Sequence, residues 1–224
     1  TEADVLSAIK NAKDGRVEEG SVGAGTGTVC FGYKGGIGTS SRKLPESLGG
    51  YTVGVLVQTN FGGVLQIDGV PVGKELGKFS FSNELLNNVD GSCMMIVATD
   101  APLDHRNLLC LAKRPIIGMG KTGGIESNGS GDYVIAFSTA DSLRVPYTVK
   151  KPAYSTDKQV TDNPVLQNDD MSPLFLAVIE ATEEAIINSL FAAETVTGMD
   201  GHKVESIPLD KVIPILKKYN RIEK

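Results

Sequence analysis

Two runs of β-branched and apolar residues stand out along the chain. Residues 51–60 (YTVGVLVQTN) and 92–99 (SCMMIVAT) each predict a buried strand, and the first ends in the turn text Asn60-Phe61-Gly62-Gly63. Residues 132–139 (DYVIAFST) predict another strand, and 64–72 (VLQIDGVPV) a short strand and turn. Helical spacing appears elsewhere. Val5, Leu6, Ile9 and Ala12 share a face over 2–13, and Leu176, Ile179, Ile186 and Leu190 repeat over 171–194, with Pro173 near the start. Asp100 reads as the N-cap of a helix through LDHRNLLCLAKR, with Pro102 near its first turn. Residues 208–218 predict a last helix, interrupted or kinked by Pro214. The stretches 73–91 and 149–170 are polar, and the second predicts a long surface loop. Strands and helices come in pairs without regular βαβ alternation, which favours a layered α+β fold over a Rossmann-type sheet.

Composition narrows the function classes. The 224 residues, 41% hydrophobic and 22% charged, suit one soluble globular domain with a sizeable core. A net charge of −5 argues against a nucleic-acid footprint. No apolar run approaches the roughly 18 residues of a membrane helix, and no signal-peptide pattern opens the chain. Cys30, Cys93 and Cys110 are odd in number and widely spaced. They argue against a disulfide framework and a zinc site, and for a reducing, cytoplasmic compartment. Neither a metal nor an organic cofactor is implied. His105 and His202 are the only histidines, so a histidine mechanism has little to draw on.

The glycine clusters do not complete a nucleotide motif. Gly120-Lys121-Thr122 resembles the end of a P-loop, but Pro115 stands where its first glycine belongs. Gly23-Ala24-Gly25 would need a third glycine at Thr28. The segment 22–38 therefore has two readings: pocket backbone that approaches a ligand, or tight sheet and turn packing.

Gly91-Ser92 joins a polar loop to a buried strand, and it too reads two ways. It is a common turn pair. It is also suited to self-cleavage, in which the Ser92 hydroxyl attacks the Gly91 carbonyl and water opens the resulting ester. Ser92 would then become an N-terminus whose own α-amine serves as base. That amine's pKa of about 7.7–8.0 leaves it substantially neutral near physiological pH, and no histidine is needed. Cys93 alternates away from Ser92 on a strand and reads as core.

The text around this dipeptide decides between the two. VGAGTGTVCFGYKGGIGTSSR (22–42), VGVLVQTNFG (53–62), DGSCMMIVATDAPL (90–103), SNGSGDYVIAFST (127–139) and LFLAVIEATEEAIINSLFAAETVTGMDG (174–201) follow in order over most of the chain. Together they resemble the L-aminopeptidase D-amidase/esterase family, which includes the β-peptidyl aminopeptidases. The resemblance implies a four-layer αββα sandwich of the N-terminal-nucleophile kind, shared with ornithine acetyltransferase-like proteins. It implies a precursor cut before Ser92, with residues 1–91 ending a large subunit and 92–224 forming a small one. It implies an acyl-enzyme on Ser92, and release of N-terminal residues from small peptides, amides or esters. It implies an oxyanion-hole amide at Asn60, and Ser130 with Asp132 orienting the nucleophile and relaying protons. Without the resemblance Ser130 and Asp132 would read as a solvated turn. Some members carry Glu at the second of these positions, one methylene longer. The family's oligomers of processed heterodimers are the expected assembly.

One departure stands out. Residues 1–91 are much shorter than the family's large subunit, so an upstream portion is expected to be absent, and with it half of the central sandwich. Two alternatives remain open at this point. An acyltransferase of the ornithine acetyltransferase type would use threonine in place of Ser92. A non-catalytic assembly protein would keep the fold and stay uncut.

Overall fold

The computed structural model describes residues 1–82, 91–144 and 164–223. Helix α1 (Glu2–Lys10) opens the chain and buries no residue. Its expected apolar face is exposed, with Val5, Leu6 and Ile9 all open to solvent. Gly23–Gly27 form a 3₁₀ turn, followed by a small hairpin of β1 (Val29–Cys30) and β2 (Tyr33–Lys34). Phe31 and Gly32 make its two-residue turn, both at positive φ as a type I′ turn requires. Phe31 holds that unusual backbone while buried, with its ring edge-to-face on Phe61 at 5.1 Å.

Four strands make the main sheet: β3 (Ile37–Lys43), β4 (Thr52–Asn60), β5 (Ser92–Thr99) and β6 (Tyr133–Ser138), side by side in that order. The first two pairings are antiparallel and β5–β6 is parallel. A parallel neighbour demands a crossover, and α3 (His105–Ala112) with α4 (Pro115–Lys121) supplies it. One βαβ-type connection thus exists despite the paired look of the sequence.

Alternation in β4 and β5 sorts the sheet into two faces. Val53, Val55, Val57 and Thr59 point to one side with Cys93, Met95, Val97 and Thr99, all buried. Helix α5 (Ser172–Phe191) lies on that side. Its contact face is Leu174, Ala177, Val178, Ala181, Ala185, Ile186 and Leu190, whereas Leu176 of the expected stripe is exposed. Small residues bring the helix close: a Cβ on Gly38 of β3 would lie 1.9 Å from the Ala185 carbonyl oxygen. The Thr59 and Ser189 hydroxyls meet at 2.9 Å across this layer.

The other face carries Leu56, Met94, Ile96, Tyr133, Ile135 and Phe137 in register. Tyr133 is 62% and Ile135 57% exposed, so no described element covers this side of β6. The described residues thus supply one helix layer and one sheet of an αββα arrangement. In a four-layer sandwich the second sheet lies against such a face.

Several local expectations change. Residues 64–72 form no strand; isolated bridges and α2 (Val72–Glu75) stand there. The cap of α3 is Asp104, whose side chain accepts from the Asn107 N–H at 2.8 Å, while Asp100 instead accepts from the Thr52 N–H at 2.7 Å. Gly120-Lys121-Thr122 end helix α4, where a P-loop would begin one, and Lys121 pairs with Glu183. A second small hairpin, β7 (Val196–Thr197) with β8 (Lys203–Val204), precedes α6 (Leu209–Lys218), which runs through Pro214 as one helix. Most of the polar loop expected at 149–170 lies outside the described residues, as does 83–90 of the polar stretch before Gly91. No helix among the described residues is long and apolar enough to cross a membrane.

Candidate active site

Ser92 opens β5, the strand flanked by partners on both sides. Its register partner across the antiparallel pair is Asn60, the last residue of β4. Residues directly opposite in such a pair project to the same face, with Cβ atoms about 4.5–5.5 Å apart. Both side chains therefore sit at one end of the uncovered face.

Gly91 enters β5 over the backbone of β4. A Cβ at this position would lie 2.1 Å from the Asn60 carbonyl oxygen and 2.7 Å from the Phe61 Cα. Any side chain there would push the strands apart, which gives glycine a steric reason at the Gly91-Ser92 peptide.

The Ser92 Oγ accepts a hydrogen bond from the Gly131 N–H at 3.0 Å. Ser130 Oγ donates to Asp132 Oδ2 at 2.5 Å, and Asp132 Oδ1 accepts from the Cys93 N–H at 2.6 Å. The loop before β6 thus grips the start of β5 twice, once at the hydroxyl and once at the next peptide. Ser130 and Asp132 precede the strand, so their meeting comes from a direct hydrogen bond and not from strand alternation. On the other side of Ser92, Asn60 Oδ1 accepts from the Val29 N–H at 2.9 Å. With its oxygen so engaged, the Asn60 amide presents its Nδ2 as the donor end.

All four residues singled out in the sequence thus gather at one place, together with Gly91. Two backbone groups join them that the sequence did not announce. The Gly131 N–H is the direct partner of the Ser92 hydroxyl, and the Val29 N–H fixes the Asn60 amide. A backbone donor has no side-chain signature, and only the glycine between Ser130 and Asp132 hinted at the first. A Cβ on Gly131 would come within 3.3 Å of Ser92 Oγ, so glycine also keeps the hydroxyl accessible.

Cys93 is buried on the helix side, away from Ser92. Burial raises its thiol well above the usual range, and the nearby Cys30 and Asp132 add to this. Such a thiol stays protonated and is no rival to the hydroxyl. Among the described residues, no group of three or more His, Cys, Asp or Glu side chains could hold a metal ion.

A family model described as peptidase family S58 matches residues 1–204. A β-peptidyl aminopeptidase, BapA of Sphingosinicella microcystinivorans, is 43% identical over 97% of the chain. The chain spans 56% of that relative's length. Among solved structures, the PH0078 protein of Pyrococcus horikoshii OT3 superposes with a TM-score of 0.81 at 45% identity, over 97% of this chain and 57% of that one. The L-aminopeptidase D-Ala-esterase/amidase of Ochrobactrum anthropi is described as a serine-aminopeptidase prototype with a variant of the Ntn-hydrolase fold. It superposes with a TM-score of 0.80 at 34% identity, over 100% of this chain and 59% of that one. The fold class is therefore α+β of the N-terminal-nucleophile hydrolase type.

Proposed function

The chain belongs to peptidase family S58, and from that premise we propose that it carries the nucleophile of a self-processing serine aminopeptidase. The observation that carries this reading is the junction itself. A hydroxyl held by a backbone N–H follows a glycine that has no room for a side chain, opposite a side-chain amide.

Processing begins when Ser92 Oγ attacks the Gly91 carbonyl carbon. The Gly91–Ser92 C–N bond breaks, the nitrogen takes a proton, and the ester formed is opened by water. Residues 1–91 leave with a carboxylate, and Ser92 keeps a free α-amine. In turnover that amine accepts the hydroxyl proton as Oγ attacks a substrate carbonyl, then returns it to the leaving amine. Water hydrolyses the acyl-enzyme by the same route.

Asn60 Nδ2 donates to the oxyanion of the tetrahedral intermediates formed in turnover. Asp132, steadied by the Ser130 hydroxyl, anchors the Cys93 peptide and so the height of Ser92 in the site. The substrates are small peptides, amides or esters, cleaved after their N-terminal residue, as the relatives' names suggest. Processed heterodimers that assemble further complete the reading. A reducing, cytoplasmic setting suits three cysteines that are all unpaired. The peptidase relatives favour hydrolysis over ornithine acetyltransferase-type transfer and over a non-catalytic scaffold.

Denaturing intact mass with N-terminal sequencing tests the proposal. Two species, one beginning Ser-Cys-Met-Met, are expected. A single uncut chain in preparations that hydrolyse aminoacyl amides would overturn the processing step.

A further inference from the structure

Lys34 is 1% exposed, inside the glycine-rich segment. Its Nζ donates to the carbonyl oxygens of Gly25 at 2.6 Å, Gly35 at 2.7 Å and Thr28 at 2.9 Å. Three ammonium donors thus meet three acceptors. Among the described residues Lys34 forms no ion pair, so carbonyl dipoles alone replace its water. Burial lowers its pKa. A lysine in such a place is rare unless it organises something.

What it organises lies one peptide away from the site. The Thr28 carbonyl and the Val29 N–H belong to the same planar, trans peptide unit and point in opposite directions. The carbonyl end is held by Lys34, and the N–H end donates to Asn60 Oδ1 at 2.9 Å. The Gly35 N–H also donates to the Thr28 oxygen at 3.1 Å, closing the turn around it. A cation on the carbonyl polarises the peptide and strengthens its N–H as a donor. That pull passes through the Asn60 amide and strengthens Nδ2 as a donor.

We propose that Lys34 is a positioning residue for Asn60, acting through the Thr28–Val29 peptide unit. The inference rests on the role given above to the Asn60 amide. It assigns one task to the 22–36 segment: to aim a side-chain amide from behind.

A double-mutant cycle on the self-processed protein tests it. Lys34→Met is expected to lower kcat on an aminoacyl amide on the order of tenfold, less than the ~10²–10³ lost on deleting an oxyanion donor outright. KM should stay within about twofold, because ground-state binding is untouched. In an Asn60→Ala background the same substitution should cost nothing further in kcat, since its route is already cut. Equal losses in both backgrounds would overturn the proposal and leave Lys34 a structural residue. Should Lys34→Met not fold, Lys34→Arg takes its place in the cycle with the same criterion, since it keeps the charge and alters the donor geometry.

The Asn60 side-chain amide resonances in ¹⁵N-labelled protein give a readout that needs no turnover. They should shift in the Lys34 variant, and unchanged resonances would also overturn the proposal. An inactive wild type would sink the hydrolase reading alone, and the resonances would still decide the Lys34 link.

Discussion

The two faces of the central sheet are built from the same strands and have opposite environments. On one, Val55 and Val57 lie under α5, and Met95 and Val97 beside them are fully buried. On the other, Ile135 and Tyr133 are more than half exposed, and the row ends in Asn60 and Ser92. The sealed face holds the chain together, and the open face carries the chemistry proposed for Ser92 and Asn60. A strand can serve both because its side chains alternate, so the proposed nucleophile Ser92 and the core thiol of Cys93 stand one residue apart.

That division can be broken by substitution. The largest effect should come from Ser92→Ala, which removes the attacking oxygen and is expected to abolish both processing and hydrolysis. Intact mass would show one full-length chain, and normal cleavage in this variant would refute the role of Ser92. On the sealed face, Met95→Ala should destabilise the fold by about 2–5 kcal/mol in denaturant unfolding. Asn60→Ala, at the end of the open face, should reverse that pattern. Steady-state kinetics should show kcat lower by about 10²–10³, worth about 2.7–4 kcal/mol at the transition state, with KM little changed. An unchanged kcat would remove Asn60 from the oxyanion hole. The smallest effect belongs to Ile135→Thr, within about 0.5 kcal/mol of wild type in chemical denaturation. A loss above 2 kcal/mol there would mean that the face is covered in solution, and would sharpen the comparison into one between two buried surfaces.

The parts legible in the sequence share a physical cause. Residues 52–60 and 92–99 declare themselves because a strand buried between neighbours needs a continuous β-branched or apolar run. The junction at Gly91-Ser92, with Asn60, Ser130 and Asp132, was legible once resemblance gave the pattern meaning. Helix α4 was not, since glycine-rich text argues against helix. Packing overrides that propensity: a Cβ on Gly118 would meet the Ile179 carbonyl oxygen at 2.6 Å, so glycine lets α4 lie on α5. Asp100 and Asp104 both stand ahead of the same helix text, and the tertiary bond of Asp100 to Thr52 separates it from the true cap at Asp104. Lys34 was invisible as a buried group because its partners are backbone oxygens at three separate positions.

The position of Ser92 between two paired strands has a further consequence. Chain ends ordinarily fray and exchange their amide hydrogens quickly. An end created at Ser92 would begin inside a ladder, with Asn60 opposite it and the Met94↔Tyr133 pair two residues on. The amides of Cys93, Met94 and Met95 should therefore exchange as slowly after the cut as before it. A catalytic group that is also a chain terminus would then carry none of a terminus's wandering, and its amine would meet each substrate already in place.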